Sequence, residues 1–239
     1  YKNRILSFIL FNYLLLTGSL VFAGFITISG KVTSQGKPIP EVKVTDGKTI
    51  VLTDKNGRYT LQTSDESELV YYSLPSGYES PVQNGIPVFF QKINPALKKQ
   101  KVNFELIKAL KSQTNHAFIL WADPQVLEME EFDLLEEVVK DAQKTIASFP
   151  KDIPVHAISA GDNVFDRLDF YDKYKELTAK LNVPFYQVIG NHDMDFNHRS
   201  DELSAKTFTK AFGPTHFSYS VGNVHYVVLK DVFYHGFSY

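Results

Sequence analysis

Through the first third of the chain, apolar and polar residues alternate with period two. Ile26, Ile28 and Val32 alternate around Gly30. Val42 and Val44 follow, then Ile50 and Leu52, Tyr59 and Leu61, and Val102, Phe104 and Leu106. Period-two patterning marks strands with one buried face. Between them lie Gly36-Lys37-Pro38, Asp46-Gly47 and Lys55-Asn56-Gly57, residues that make tight turns. Short strands at close spacing, without a helical period, predict a small all-β sandwich over residues 24–107. Asp46, Asp54 and Asn56 serve equally as calcium ligands or as turn residues bonding their own backbone, and the second reading is preferred.

The pattern changes after residue 116. Residues 117–121, Ala-Phe-Ile-Leu-Trp, form a continuous apolar run, which predicts a strand buried on both faces. Phe132, Leu135, Val139, Ala142, Ile146 and Phe149 then recur by threes and fours as one helical stripe, stopped by Pro150 and Pro154. Residues 155–160 read as a second strand. Phe170, Tyr174, Leu177 and Leu181 mark a second helix, residues 185–189 a third strand and 203–212 a third helix. Residues 216–221 and 224–229 alternate like a hairpin around Gly222-Asn223, predicting a mixed sheet at the end. Strands alternating with helices imply a mainly parallel sheet covered by helices. The polar stretch 108–116 is the predicted linker between the halves.

The 23 residues before the β region read differently. Lys2 and Arg4 precede an apolar run to Phe22, and Val21 and Ala23 offer small or compact residues at a cleavage site. This order is that of a secretory signal, so the protein is expected to be exported to a periplasmic, cell-surface or secreted location. The alternative is a retained membrane anchor; after cleavage no stable membrane insertion is expected. With 239 residues, 44% hydrophobic, the chain can bury a sizeable core. A formal net charge of −2 lacks the basic footprint of a duplex nucleic-acid binder. The absence of Cys excludes thiolate metal sites, disulfides and thiol nucleophiles.

Three predicted strands each end in a polar cluster: Asp123-Pro124-Gln125, Gly161-Asp162-Asn163, and Gly190-Asn191-His192-Asp193. Ligands of open α/β sheets bind at the carboxyl ends of strands. The clusters bring carboxylates, amides and an imidazole to one rim, an O/N donor set suited to Mn, Fe, Zn, Mg or Ni. Each cluster taken singly is also explained as a helix cap or a turn; the order of the three carries the argument.

That order, D-x-Q, then G-D, then G-N-H-D, resembles the calcineurin-like metallophosphoesterase superfamily over residues 117–239. The preceding module, with its Gly30-Lys31-Val32, Gly36-Lys37-Pro38-Ile39 and Thr53-to-Leu61 segments, resembles the carboxypeptidase-regulatory-like fold found ahead of secreted members. The resemblance implies an N-terminal all-β sandwich followed by an incomplete α/β/β/α phosphoesterase domain. It also implies two divalent metal ions and a metal-bridging hydroxide that cleaves phosphate mono- or diester or diphosphate bonds of a small phosphorylated substrate. By the same resemblance Asp123 and Gln125 would bind one metal, Asp162 would bridge both and Asn191 would bind the second. His192 would protonate the leaving oxygen, oriented by Asp166 or Asp193. Asn163 would give local support.

The sequence departs from that pattern in two ways. Gln125 stands where most members carry His, and the later G-H-x-H element is missing. His116, His156, His198, His216, His225 and His235 read as packed or loop residues, and Phe196 and Tyr234 as packing aromatics near the rim. The chain starts at Tyr1 and stops soon after a strand, at Tyr239, which suggests truncation at both ends. It is therefore expected to hold part of the metal shell and to have little or no activity alone. The competing expectation is a noncatalytic surface or periplasmic binding protein with a degenerate phosphoesterase scaffold.

Overall fold

The computed structural model describes residues 24–196, 198 and 200–235. The expected signal segment, residues 1–23, lies outside them. Among the described residues no helix is long and apolar enough to cross a membrane.

The period-two residues become a β-sandwich. Strand β1 (Phe25–Ser34) buries Ile26, Ile28 and Val32 on one side, the side the alternation selects. Two further strands, β2 (Lys43–Thr45) and β3 (Ile50–Leu52), begin the opposing sheet. Strand β4 (Arg58–Ser64) pairs antiparallel with β1, from Phe25 opposite Ser64 to Lys31 opposite Arg58. The opposing sheet is completed by β5 (Leu69–Tyr72) and β6 (Phe90–Lys92) and runs β6-β5-β2-β3. Strands β7 (Lys99–Lys101) and β8 (Phe104–Glu105) return to flank β1 in parallel. Asp46 and Asp54 close turns: Asp46 Oδ1 accepts from Lys48 N and Thr49 N at 2.9 and 2.7 Å, and Asp54 Oδ1 from Asn56 N and Arg58 N, both at 2.8 Å.

Beyond the sandwich lies a parallel three-stranded sheet. It is made of β9 (Ala117–Trp121), β10 (Val155–Ser159) and β11 (Phe185–Tyr186), in that order. Helix α1 (Glu131–Ser148) connects β9 to β10, and α2 (Tyr171–Thr178) connects β10 to β11. The segment leading into α1 is fastened to its first residue by the Glu131 carboxylate, which accepts from Leu127 N and Glu128 N. Phe132, Leu135 and Val139 of α1 pack with Tyr174 and Leu177 of α2 and with Phe208 and Phe212 of α3 (Lys206–Phe212) over one face of the sheet. The third strand is shorter than the predicted 185–189, because Gln187 and Val188 already turn into the site loop, with Val188 N donating to Ser159 Oγ.

Strands β12 (Phe217–Val221) and β13 (Val224–Val228) form the expected hairpin, but they do not extend the parallel sheet into a mixed one. The hairpin is a separate two-stranded sheet laid across the other face of the parallel one. Tyr219 stacks on Tyr186 at 3.8 Å and Tyr226 meets His156 edge-on at 5.1 Å, so broad aromatic faces hold the layers together where backbone pairing would have set them side by side. The prediction that residues 117–121 are buried on both faces also fails. Ile119 and Trp121 face the helices, but Phe118 is 47% exposed and Leu120 63%. β9 is an edge strand, and the hairpin reaches Phe118 through Tyr226 while leaving Leu120 uncovered.

Candidate active site

The three polar clusters follow the carboxyl ends of β9, β10 and β11 and are stitched into one rim. Gln125 N donates to Asp162 O at 2.9 Å, joining the first loop to the second. Asp166 N donates to His192 O at 3.1 Å, and His192 N to Asp162 Oδ1 at 3.0 Å, joining the second to the third. Gly161 and Gly190 make this approach possible. A Cβ on Gly190 would lie 2.0 Å from Asp162 Oδ1, and one on Gly161 would lie 2.8 Å from the Gly190 Cα. Asp123, Gln125, Asp162 and Asp166 all have left-handed backbone, with φ of 47°, 43°, 52° and 57°. Each such non-glycine residue costs of order 1–3 kcal/mol, and that strain is concentrated where three loops converge.

The predicted residues fall into two groups. Asp162, 7% exposed, sits at the junction. Its Oδ2 accepts from Gln125 Nε2 at 3.0 Å while its Oδ1 takes the His192 amide. Asp123 stands exposed on the same rim, and Asn191 opens a short 3-10 turn, Asn191–Asp193. His192 is buried, its ring stacked on Phe165 at 3.8 Å and its Nδ1 donating to Asp166 Oδ1 at 2.9 Å. Of the two carboxylates weighed as its partner, Asp166 is the one in contact.

Asp193 faces inward instead. It is fully buried and accepts from Gly190 N, Asn163 N, Asn163 Nδ2 and Tyr171 Oη at 2.9–3.2 Å. Burial pushes its carboxyl up to about 7, while the hydrogen bonds from Gly190, Asn163 and Tyr171 pull the other way. Asn163 carries the network onward: Nδ2 also donates to Val188 O, and Oδ1 accepts from Tyr174 Oη at 3.0 Å. Burial, and then the charge of Asp193, raise Tyr171 and Tyr174 well above their ordinary range, so both hydroxyls stay protonated donors. This buried network holds the third loop under Asp162. Sequence reasoning missed its two tyrosines. The available signal was a tyrosine, with a hydroxyl to satisfy, inside the α2 apolar stripe where an aliphatic residue would fill the space.

Three of the remaining histidines lie elsewhere. His156 is buried in the aromatic layer under the hairpin, His116 bonds Gln113 O and Tyr226 Oη, and His225 bonds Ser220 Oγ. Phe196 and Tyr234 pack on each other at 6.0 Å, with Tyr234 Oη donating to Phe196 O. Among the described residues no group of three or more His, Asp or Glu side chains is placed to hold a metal ion. The donors on the rim are therefore two carboxylates and two amides. Gln125 presents Nε2, a donor, to Asp162 Oδ2, so its amide would have to turn over before Oε1 could face a cation.

The parallel sheet thus carries helices on one face, a second β layer on the other and an Asp-, Asn- and His-bearing rim at its strand ends. Residues 115–238 match the family described as calcineurin-like phosphoesterase, and residues 26–109 match the one described as the N terminal of calcineurin-like phosphoesterase. The chain belongs to the calcineurin-like phosphoesterase family. No curated protein matches the chain as a relative.

Proposed function

We propose that the protein is an exported, dimetal phosphoesterase that hydrolyses phosphate mono- or diester or diphosphate bonds of a small phosphorylated substrate. The observation that carries this reading is the position of Asp162. It is buried at the junction of the three loops, and its two oxygens reach two different ones, accepting from Gln125 Nε2 on one side and the His192 amide on the other. Asp123 and Gln125 would hold one cation and Asn191 the other, with Asp162 common to both. The oxygen-rich set favours Mn or Mg over softer metals. When bound, the cations supply the charge that polarises the phosphoryl oxygens and eases deprotonation of a water.

The chain's own residues do the rest. Asp166 holds the His192 ring by Nδ1, which turns Nε2 toward a leaving oxygen, and the imidazolium form would donate its Nε2 proton there. Phe165 covers one ring face and keeps the imidazole from turning. The buried Asp193–Asn163–Tyr174 network keeps the third loop in register. With two carboxylates and two amides as the donors in view, the chain alone is expected to bind metal weakly and turn over slowly.

The Gln125 Nε2 bond to Asp162 favours a second reading, in which the rim is a degenerate scaffold and the protein binds without catalysis. One experiment separates the two. Mn²⁺ binding is measured calorimetrically on the wild type and on Asp162→Ala, with turnover of bis-p-nitrophenyl phosphate recorded alongside. The proposal expects both signals to fall at least tenfold. If metal binding and turnover both survive the substitution, the enzymatic reading is wrong.

A further inference from the structure

At the opposite end of the parallel sheet from the rim, an open cleft of about 700 Å³ separates the β-sandwich from the phosphoesterase half. That volume is within the range of small-molecule sites. One wall comes from the sandwich and the segment after it: Leu74, Tyr78, Ile107 and Leu110. The other comes from the end of α1 and the starts of β10 and β11: Ile146, Phe149, Ile153, Val155 and Val183. The five-residue strands put roughly 16 Å between this cleft and the metal rim.

Two features say what such a cleft would take. Its lip carries uncovered apolar side chains, with Leu110 95% exposed and Ile107 48%, continuous with the apolar walls. Its charged lining is Lys111, Lys151 and Glu79, net positive, beside walls of aliphatic and aromatic side chains. We propose that the cleft binds an anionic amphipath: an acyl chain lying among Leu74, Ile146, Ile153 and Val183, with a carboxylate or phosphate head against Lys111 and Lys151. The half-open shape suits this ligand, because the head stays in water while the chain is buried. The site is independent of the phosphoesterase reading and stands if that reading fails.

The test is a calorimetric titration of the whole protein with octanoate, decanoate, dodecanoate, dodecyl phosphate and dodecanol, each below its aggregation limit. Saturable one-to-one binding is expected, tightening roughly fourfold per methylene as the chain lengthens. Whichever of dodecanoate and dodecyl phosphate binds more tightly identifies the head group. The double reversal Lys111→Glu with Lys151→Glu, both on exposed side chains, should weaken dodecanoate at least tenfold and leave dodecanol unchanged. Ile153→Trp, which fills the cleft, should abolish binding of both. Should Ile153→Trp fail to fold, the lysine reversal still decides the question. The proposal is overturned by no saturable binding, by binding indifferent to the lysine reversal, or by binding lost in Leu120→Ser, which would place the ligand on the exposed face of β9.

Discussion

Acidifying the protein from pH 7 to 4 should remove about 3 kcal/mol of stability through His156 alone. The imidazole is 5% exposed and ringed by Phe118, Tyr186, Tyr219, Tyr226 and His116. Burial, and then the charge of His116, lower it from about 6.5 to about 4. Its folded value thus lies below its unfolded one, and the unfolded chain takes up the proton first. The stability it contributes is intact above pH 6.5, falls as pH drops from 6.5 to 4, and is constant below. A 2.5-unit gap at 1.36 kcal/mol per unit gives about 3.4 kcal/mol.

Asp193 titrates in the opposite sense, since its folded carboxyl, raised to about 7, favours the folded state on acidification. The wild-type curve alone is therefore a sum of the two. The measurement is urea unfolding at pH 7, 6, 5 and 4, followed by the fluorescence of Trp121, the chain's single tryptophan, for the wild type and His156→Leu. Any pH-independent packing loss cancels in the difference between their pH profiles. The wild type should lose about 3 kcal/mol relative to the variant between pH 7 and 4. A difference that stays flat would mean that His156 is not held neutral by its aromatic surroundings, and the reasoning would be refuted.

Other perturbations probe the rim and its support. Tyr174→Phe removes the Oη–Asn163 hydrogen bond and leaves a buried amide oxygen short of a donor, costing about 1–3 kcal/mol in urea unfolding. Gly190→Ala would place a methyl 2.0 Å from Asp162 Oδ1, so it should abolish Mn²⁺ binding in calorimetry; unchanged binding would show that the two loops need not touch. In the proposed hydrolase, His192→Ala should slow turnover about 10²–10⁴-fold on phosphodiesters with poor leaving groups and much less on p-nitrophenyl esters. Asp166→Asn should give the same leaving-group dependence with a smaller loss and a shifted alkaline limb of the pH–rate profile, where the general acid loses its proton; a merely structural aspartate would not produce that shift.

The strands of the sandwich were legible because one face of each is buried, and a buried face writes period two into the residues. The rim was legible for another reason: three separate strand ends each carry a short polar signature, so the chemistry is local even though the contacts are not. What could not be read depends on partners distant in sequence. Whether Asp166 or Asp193 would meet His192 turned on which loop folds inward. The hydroxyls of Tyr171 and Tyr174 reach Asp193 and Asn163 from a helix whose pattern records only burial. The uncovered Leu120 was misread because an apolar run states that a residue prefers to be covered and carries no record of what covers it. The same gap hid the separate layer of the hairpin, where ring stacking rather than backbone pairing decides the arrangement.

The hairpin of β12 and β13 is more than a lid on the parallel sheet. Ser220 N donates to Leu74 O, and Ser73 Oγ meets Ser218 Oγ at 2.7 Å between residues 145 positions apart. Phe217, Tyr219 and Val221 belong to the same hydrophobic core as Ile26 and Leu61 of the sandwich. The hairpin therefore shares one core with the sandwich while it covers the parallel sheet, so neither half can lose its packing without uncovering part of the other. A substitution in the sandwich distant from the rim should be felt there as lost cooperativity of unfolding.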